Sequence, residues 1–498
     1  MKKSSLLSLS LFLICVTVLG IAWKEDVKSS SIGALPPAAP PSQIGSPTTL
    51  PPRPSGAVQS IQDPLPSTGN QPLLVILADF PDKAGMLTGQ DWMNFFWGAE
   101  GFNSFYTEVS YGQLAYPADI SDVVGAGGAK DEAITAYVRM PQPITYYANN
   151  YFGYNTATYP QNLGGVVHDA LQTLDAGGFD FSPYEDPISH RVENLIVIFA
   201  GANYGYTRDP VNSMEATAYT LTDMGLGGPY TSAGGQIFDN FTFCPELYGG
   251  TGGGIAKIGI CSHEHGHALG MFDLYNLSYD TSGVGYFDLM GYGAYGSDAG
   301  THPFHPSAFV KEYFGWHALS DLGTGAYSLT LAPIELGGNG IRLYPDGNPS
   351  AKEYFVLENR QALGYDYGWT NAGLCTGLVI WHIDSNIVEA YALSNLVNSP
   401  GYPGGPAHPG VLVVEADGKF DMIKKNFPPS LNYGQCSDTW AVGRTFSDNT
   451  TPDAHLWDGT PSNLSVRVVD EVNGSLHLLV RVGLPVFDQT AFLPMVEK

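Results

Sequence analysis

Positive charge is scarce in this sequence: 22 lysines and arginines stand against 48 aspartates and glutamates in 498 residues, a formal net charge of −26. Such a chain repels phosphate backbones and anionic headgroups, which argues against nucleic acid as a partner. Charged residues of either sign make up only 14% of the chain, against 44% hydrophobic and 12% aromatic, and that composition excludes a disordered protein. Cysteines number five. No long apolar run follows the N-terminal one, so the body of the chain reads as soluble. Internal repeats and heptads are also missing, which removes solenoids and coiled coils.

What is present begins with "MKKSSLLSLSLFLICVTVLGIAW", two lysines ahead of an apolar stretch from Leu6 to Trp23. Residues 1–23 read as a signal peptide or a signal anchor. Residues 24–70 are rich in Pro, Ser and Gly and are expected to form an extended linker, too short and too polar for a folded inhibitory prodomain. Cys15 leaves with the leader if the leader is cleaved. The other four, Cys244, Cys261, Cys375 and Cys436, suit two disulfides in an exported chain. The sequence-local pairing of Cys244 with Cys261 and Cys375 with Cys436 stands against free buried thiols.

Order is expected from "QPLLVILADFPD", Gln71 to Asp82, an apolar run of strand length closed by a Pro-containing turn. Phe102, Phe105, Tyr106 and Val109 then recur at helical spacing before Gly112. "GGVVHDALQTLDAGG" predicts a helix bounded by glycines, and "VENLIVIFAG" a buried strand. After about Leu319 the texture changes to short alternating runs separated by Gly, Pro and Asn, the last two joined at Asn473-Gly474 in a hairpin turn. The expectation is an α+β protein: a domain over 71–319 with a mixed sheet and helices, then a β-rich domain over 320–498.

The chemistry is concentrated in "CSHEHGHALGMFDLYN", Cys261 to Asn276. On a helix His263 and His267 stand one turn apart on nearly the same face, whereas His265 is rotated from His263 by about 200°. Two of the three histidines can share a metal, and the third is expected at the surface or behind the ligands. Imidazoles at i and i+4 suit Zn²⁺, and Glu264 beside the first is placed as a general base. Gly270 can take a positive φ, end the helix and return the chain, which brings Asp273 into range as a third ligand. Met290, in "YFDLMGYGAYG", lies where a methionine turn would pass beneath such a site; ordinary core packing is the other reading.

These residues resemble the immune inhibitor A family of secreted zinc metallopeptidases. "LLVILADFPD", "SFYTEVSYGQLAY", "FDFSPYED", "VENLIVIFAG", "HEHGHALGMFD", "HPSAFVKEYFGW", "EYFVLENRQALGYD" and "GLVIWHID" are similar to family segments in family order. A looser match reaches about residue 470. The resemblance implies a metzincin-like core, zinc on His263, His267 and Asp273, Glu264 as base, and protein or peptide substrates. Family members often carry an Asp/Gly-rich loop that suggests calcium. Here "YEDPISHRVEN" lacks that spacing of oxygen ligands, so calcium has no recognisable loop.

The function expected is therefore that of a secreted zinc endopeptidase acting as a monomer. Zinc lowers the pKa of a bound water to about 7, and Glu264 takes its proton and passes it to the leaving amine. Tyr292, two residues past Met290, is a candidate oxyanion donor, with a packed aromatic as the alternative. Two other functions stay open: a secreted or surface binding protein with a structural zinc site, and a zinc hydrolase acting on a non-protein substrate.

Overall fold

A computed structural model describes residues 64–249, 254–425 and 431–484. The leader over 1–23 and the linker up to residue 63 lie outside the described residues. Within them, no helix is long and apolar enough to cross a membrane.

Leu74–Asp79 is buried along its whole length, as a strand covered on both faces must be. It belongs to a six-stranded sheet in the order 122–124, 74–79, 195–202, 240–247, 217–220, with Val138–Arg139 also paired to Leu74–Asp79. The pairings are parallel except for Thr217–Thr220, which runs antiparallel to Asn240–Leu247. Alternation along the strands separates two apolar layers. Leu74, Ile76, Val197 and Phe199 pack with the helix Leu163–Ala176. Val75, Leu77, Ile196 and Ile198 pack with the helix Phe102–Val109 and with the helix Ile258–Ala268, which carries the three histidines.

Beyond residue 319 a five-stranded sheet, in the order 320–322, 341–343, 353–360, 377–384, 411–413, faces a four-stranded one of 325–331, 475–482, 464–472 and 445–447. Phe355, Leu357, Leu378 and Ile380 point between these sheets, against Leu464, Val466, Leu478 and Val480. Their neighbours Tyr354, Val356, Val379, Trp381 and Ile383 join the cluster that contains the histidine helix. One apolar core thus runs across residue 319. The Asn473-Gly474 turn has both residues at positive φ, 52° and 79°, as a two-residue hairpin connection demands.

Order starts earlier than the composition predicts. Residues 64–70, the end of the expected linker, are fastened down: Leu65 is buried and its N–H donates to Ala268 O at 3.0 Å, while Gly69–Asn70 pairs with Leu114–Ala115. The partners are spread along the fold: Ala268 O, at the end of the histidine helix, needs a donor, and Ser67 donates to Phe314 O and accepts from Trp316 Nε1.

Candidate metal centre

The helix Ile258–Ala268 is set by its neighbours rather than by an amphipathic stripe. Nine of its eleven residues are buried, Glu264 being one of the two exceptions. A disulfide between Cys244 and Cys261 ties its first turns to the strand Asn240–Leu247. Tyr106 donates its hydroxyl proton to Ser262 O at 2.6 Å. Gly266 lets Met290 lie against the helix, since a Cβ there would stand 2.7 Å from the methionine sulfur. The helix stops at Gly270, which has φ 103° and donates to His267 O.

The chain then returns, and one donor atom from each of His263, His267 and Asp273 falls within 4.8 Å of the others. Both Nε2 atoms converge on Asp273 Oδ1, at 3.1 Å from His263 and 3.2 Å from His267. Each Nδ1 faces a carbonyl that can only accept: Leu289 O at 2.9 Å from His263 and Met271 O at 2.8 Å from His267. Those bonds place the ring protons on Nδ1, so in neutral imidazoles the Nε2 lone pairs point at a carboxylate oxygen. Lone pairs aimed at an anion repel one another unless a cation lies between them. All three side chains are almost fully buried, which makes that cation more necessary still. Two neutral imidazoles and one carboxylate fit Zn²⁺ with a coordination position left open.

Asp273 is held by a residue that sequence reading did not find. Asn395 accepts from Asp273 N at 2.6 Å and donates through Nδ2 to Asp273 Oδ2 at 2.7 Å. Its neighbours extend the clamp: Asn398 donates to Leu274 O, and Ser399 Oγ accepts from Leu277 N. The spacing of 122 residues between Asp273 and Asn395 leaves no local signal to read.

The other candidates are placed as follows. His265 does point away from the metal position, but into the core rather than the surface. It is fully buried, with Nε2 at 2.6 Å from Tyr116 Oη and Nδ1 at 3.1 Å from Thr242 Oγ1, and burial pushes its pKa down to about 3. Met290 sits in a tight turn whose Asp288 accepts from Met290 N and from Ser307 N, and Met290 O accepts from Leu274 N. Tyr292 packs on Tyr433 and Tyr275, and Tyr275 stacks on His263. Burial first, then neighbouring tyrosines and Asp273, raise the Tyr292 pKa well above its ordinary value. The phenol therefore keeps its proton and remains a donor. Cys375 and Cys436 form the second disulfide.

Residues 240–319, which contain this centre, match the family described as immune inhibitor A peptidase M6, catalytic domain. No curated protein matches the chain.

Proposed function

We propose that this chain, an immune inhibitor A family peptidase by its residues 240–319, is a secreted zinc-dependent endopeptidase that hydrolyses protein or peptide substrates. Its catalytic portion is assigned to residues 71–319, in a metzincin-like arrangement of histidine helix, glycine stop and methionine turn, with a β-rich domain over 320–498. The observation that carries the reading is the convergence of two imidazole Nε2 atoms on one Asp273 oxygen while both Nδ1 atoms are committed to carbonyls.

His263, His267 and Asp273 would hold the zinc, which when bound supplies a Lewis acid that polarises a carbonyl and acidifies water. Glu264 adjoins the first ligand on the less buried side of the helix, where its carboxylate can take a proton from water and return it to the departing amine. Leu289 O and Met271 O keep the two imidazoles in the tautomer that leaves Nε2 available. Tyr292, with its proton retained, is the candidate donor to the developing oxyanion.

The test is casein hydrolysis by wild type beside Glu264→Gln, with zinc content measured in both. The wild type is expected to lose activity to a chelator and regain it with zinc. Glu264→Gln is expected to keep about one zinc per chain and lose about 10²–10⁴ in turnover, the scale of general-base loss. A zinc-loaded wild type that leaves casein intact would point to the structural-zinc or non-protein readings instead.

A further inference from the structure

A second set of carboxylates lies away from the histidine helix. Glu415, Asp417 and Asp438 each offer an oxygen within 4.8 Å of the others. That is the spacing of oxygens around one shared ion at about 2.3–2.6 Å from each. Carboxylate clusters also occur without ions, and what separates this one is Asp438. Its residue exposure is 1%; Oδ2 accepts from Gln435 N at 2.7 Å, but Oδ1 is buried without any hydrogen-bond partner. An unpartnered buried carboxylate oxygen costs several kcal/mol unless a proton or a cation meets it.

The neighbours do not supply the missing charge. Glu415 is fully buried and takes only backbone N–H groups, from Met422 on Oε1 and Asp421 on Oε2. Lys419 reaches Asp417 at 2.6 Å, but its side chain is more than half exposed and it pairs with neither Glu415 nor Asp438. Asp421 adds a fourth carboxylate beside them, engaged by Asn432 and Gln435. Burial and mutual repulsion accordingly push Glu415 up to about 8 and Asp438 up to about 6.

We propose that Glu415, Asp417 and Asp438 form a calcium site, with the ion meeting Asp438 Oδ1 and fastening the segments 415–422 and 431–438 to each other. Hard oxygen donors with no nitrogen or sulfur select calcium over zinc, and their modest number leaves room for water. The fastened segments back the metal centre. Met422 O accepts from Ser282 N and Tyr433 O from Tyr286 N, and the Tyr433 ring lies 4.6 Å from that of Tyr292. Cys436, bonded to Cys375, anchors the same stretch.

The experiment titrates calcium chloride into the full chain, stripped of divalent ions and reloaded with one equivalent of zinc, by calorimetry and by thermal unfolding. One calcium should bind with a dissociation constant of about 10⁻⁶–10⁻³ M, and the midpoint of unfolding should rise as calcium is added. Asp438→Asn should weaken calcium binding at least about tenfold with zinc content unchanged. Asp417→Asn, at the more exposed edge of the cluster, gives the same readout if Asp438→Asn fails to fold. His267→Ala should lose zinc and still bind calcium, which keeps this site separate from the zinc reading. A wild type with no heat and no thermal shift at about 10 mM calcium, well above the weakest such sites, overturns the proposal. So does unchanged calcium affinity in both aspartate variants.

Discussion

At the scale of single residues, the three clustered histidines have three different surroundings within a helix of eleven residues. His263 and His267 are separated from His265 by rotation about the axis, and that much follows from helical geometry alone. What rotation does not reveal is how far the core extends: His265 has Tyr116, Thr242 and the rings of Phe102 and Tyr106 around it. Its low pKa keeps it neutral at any ordinary pH. His265→Ala is therefore expected to leave zinc per folded chain unchanged, while lowering stability by about 2–4 kcal/mol through a cavity and two orphaned hydroxyls. Denaturant unfolding beside a zinc assay checks this. Zinc loss from a variant that stays folded would contradict the separation.

At the scale of elements, the strands and helices that carry strong periodicity in the sequence are found in the structure. It also contains the helix Gly89–Trp97 and the strand Asn240–Leu247, which are not among the expected elements. Leu74–Asp79, Phe102–Val109, Leu163–Ala176 and Leu195–Ala202 each lie within the stretch that predicts them, give or take a residue or two. The histidine helix is legible for a different reason. It is buried on nearly all sides and has no stripe to read, so its motif and glycine stop identify it where periodicity does not. The loop around Asn395 has neither signal. Asn395 lies at positive φ, 52°, a conformation asparagine tolerates, and its purpose appears only once the chain is folded. Removing its amide frees Asp273 to turn, so Asn395→Ala should weaken zinc binding by about 10–100-fold, the usual scale for an outer hydrogen-bonding partner. Competition with a chromogenic chelator measures it. Asn395→Ala with wild-type zinc affinity would show that the histidines and the turn suffice to hold the aspartate.

At the scale of the whole molecule, the segment bearing the methionine turn and the five-stranded sheet are joined by buried charge as well as by apolar surface. Arg360 is fully buried over Trp369, bonds Asp366 at 2.6 Å and donates to Phe287 O and His305 O. Lys311 donates to Val109 O at 2.9 Å and to His305 Nδ1 at 3.1 Å, and His305 Nε2 meets Glu108. Burial, then Arg360, lowers the Lys311 pKa from 10.5 to about 7 against the opposing pull of Glu335, Asp366 and Glu358. Between those two values the unfolded chain holds a proton that the folded chain lacks, so this group makes stability rise with pH from about 7 to about 10. Below 7 both states are protonated and its contribution is flat. Lys311→Met should flatten the slope of unfolding midpoint against pH in that window. An unchanged slope would place the titration elsewhere. None of this network is legible beforehand, because the charges come from residues 108 to 366 and meet only in the folded chain.

The clamp on Asp273 also fixes an order of events. Residues 263, 267 and 273 leave the ribosome while Asn395 is still to be added, 122 residues after Asp273. At an elongation rate of about 5–20 residues per second, that interval lasts some seconds to tens of seconds. Throughout it the nascent peptidase has its ligands but not the amide that orients one of them. The candidate metal centre is therefore complete only once the stretch around Asn395 has been made.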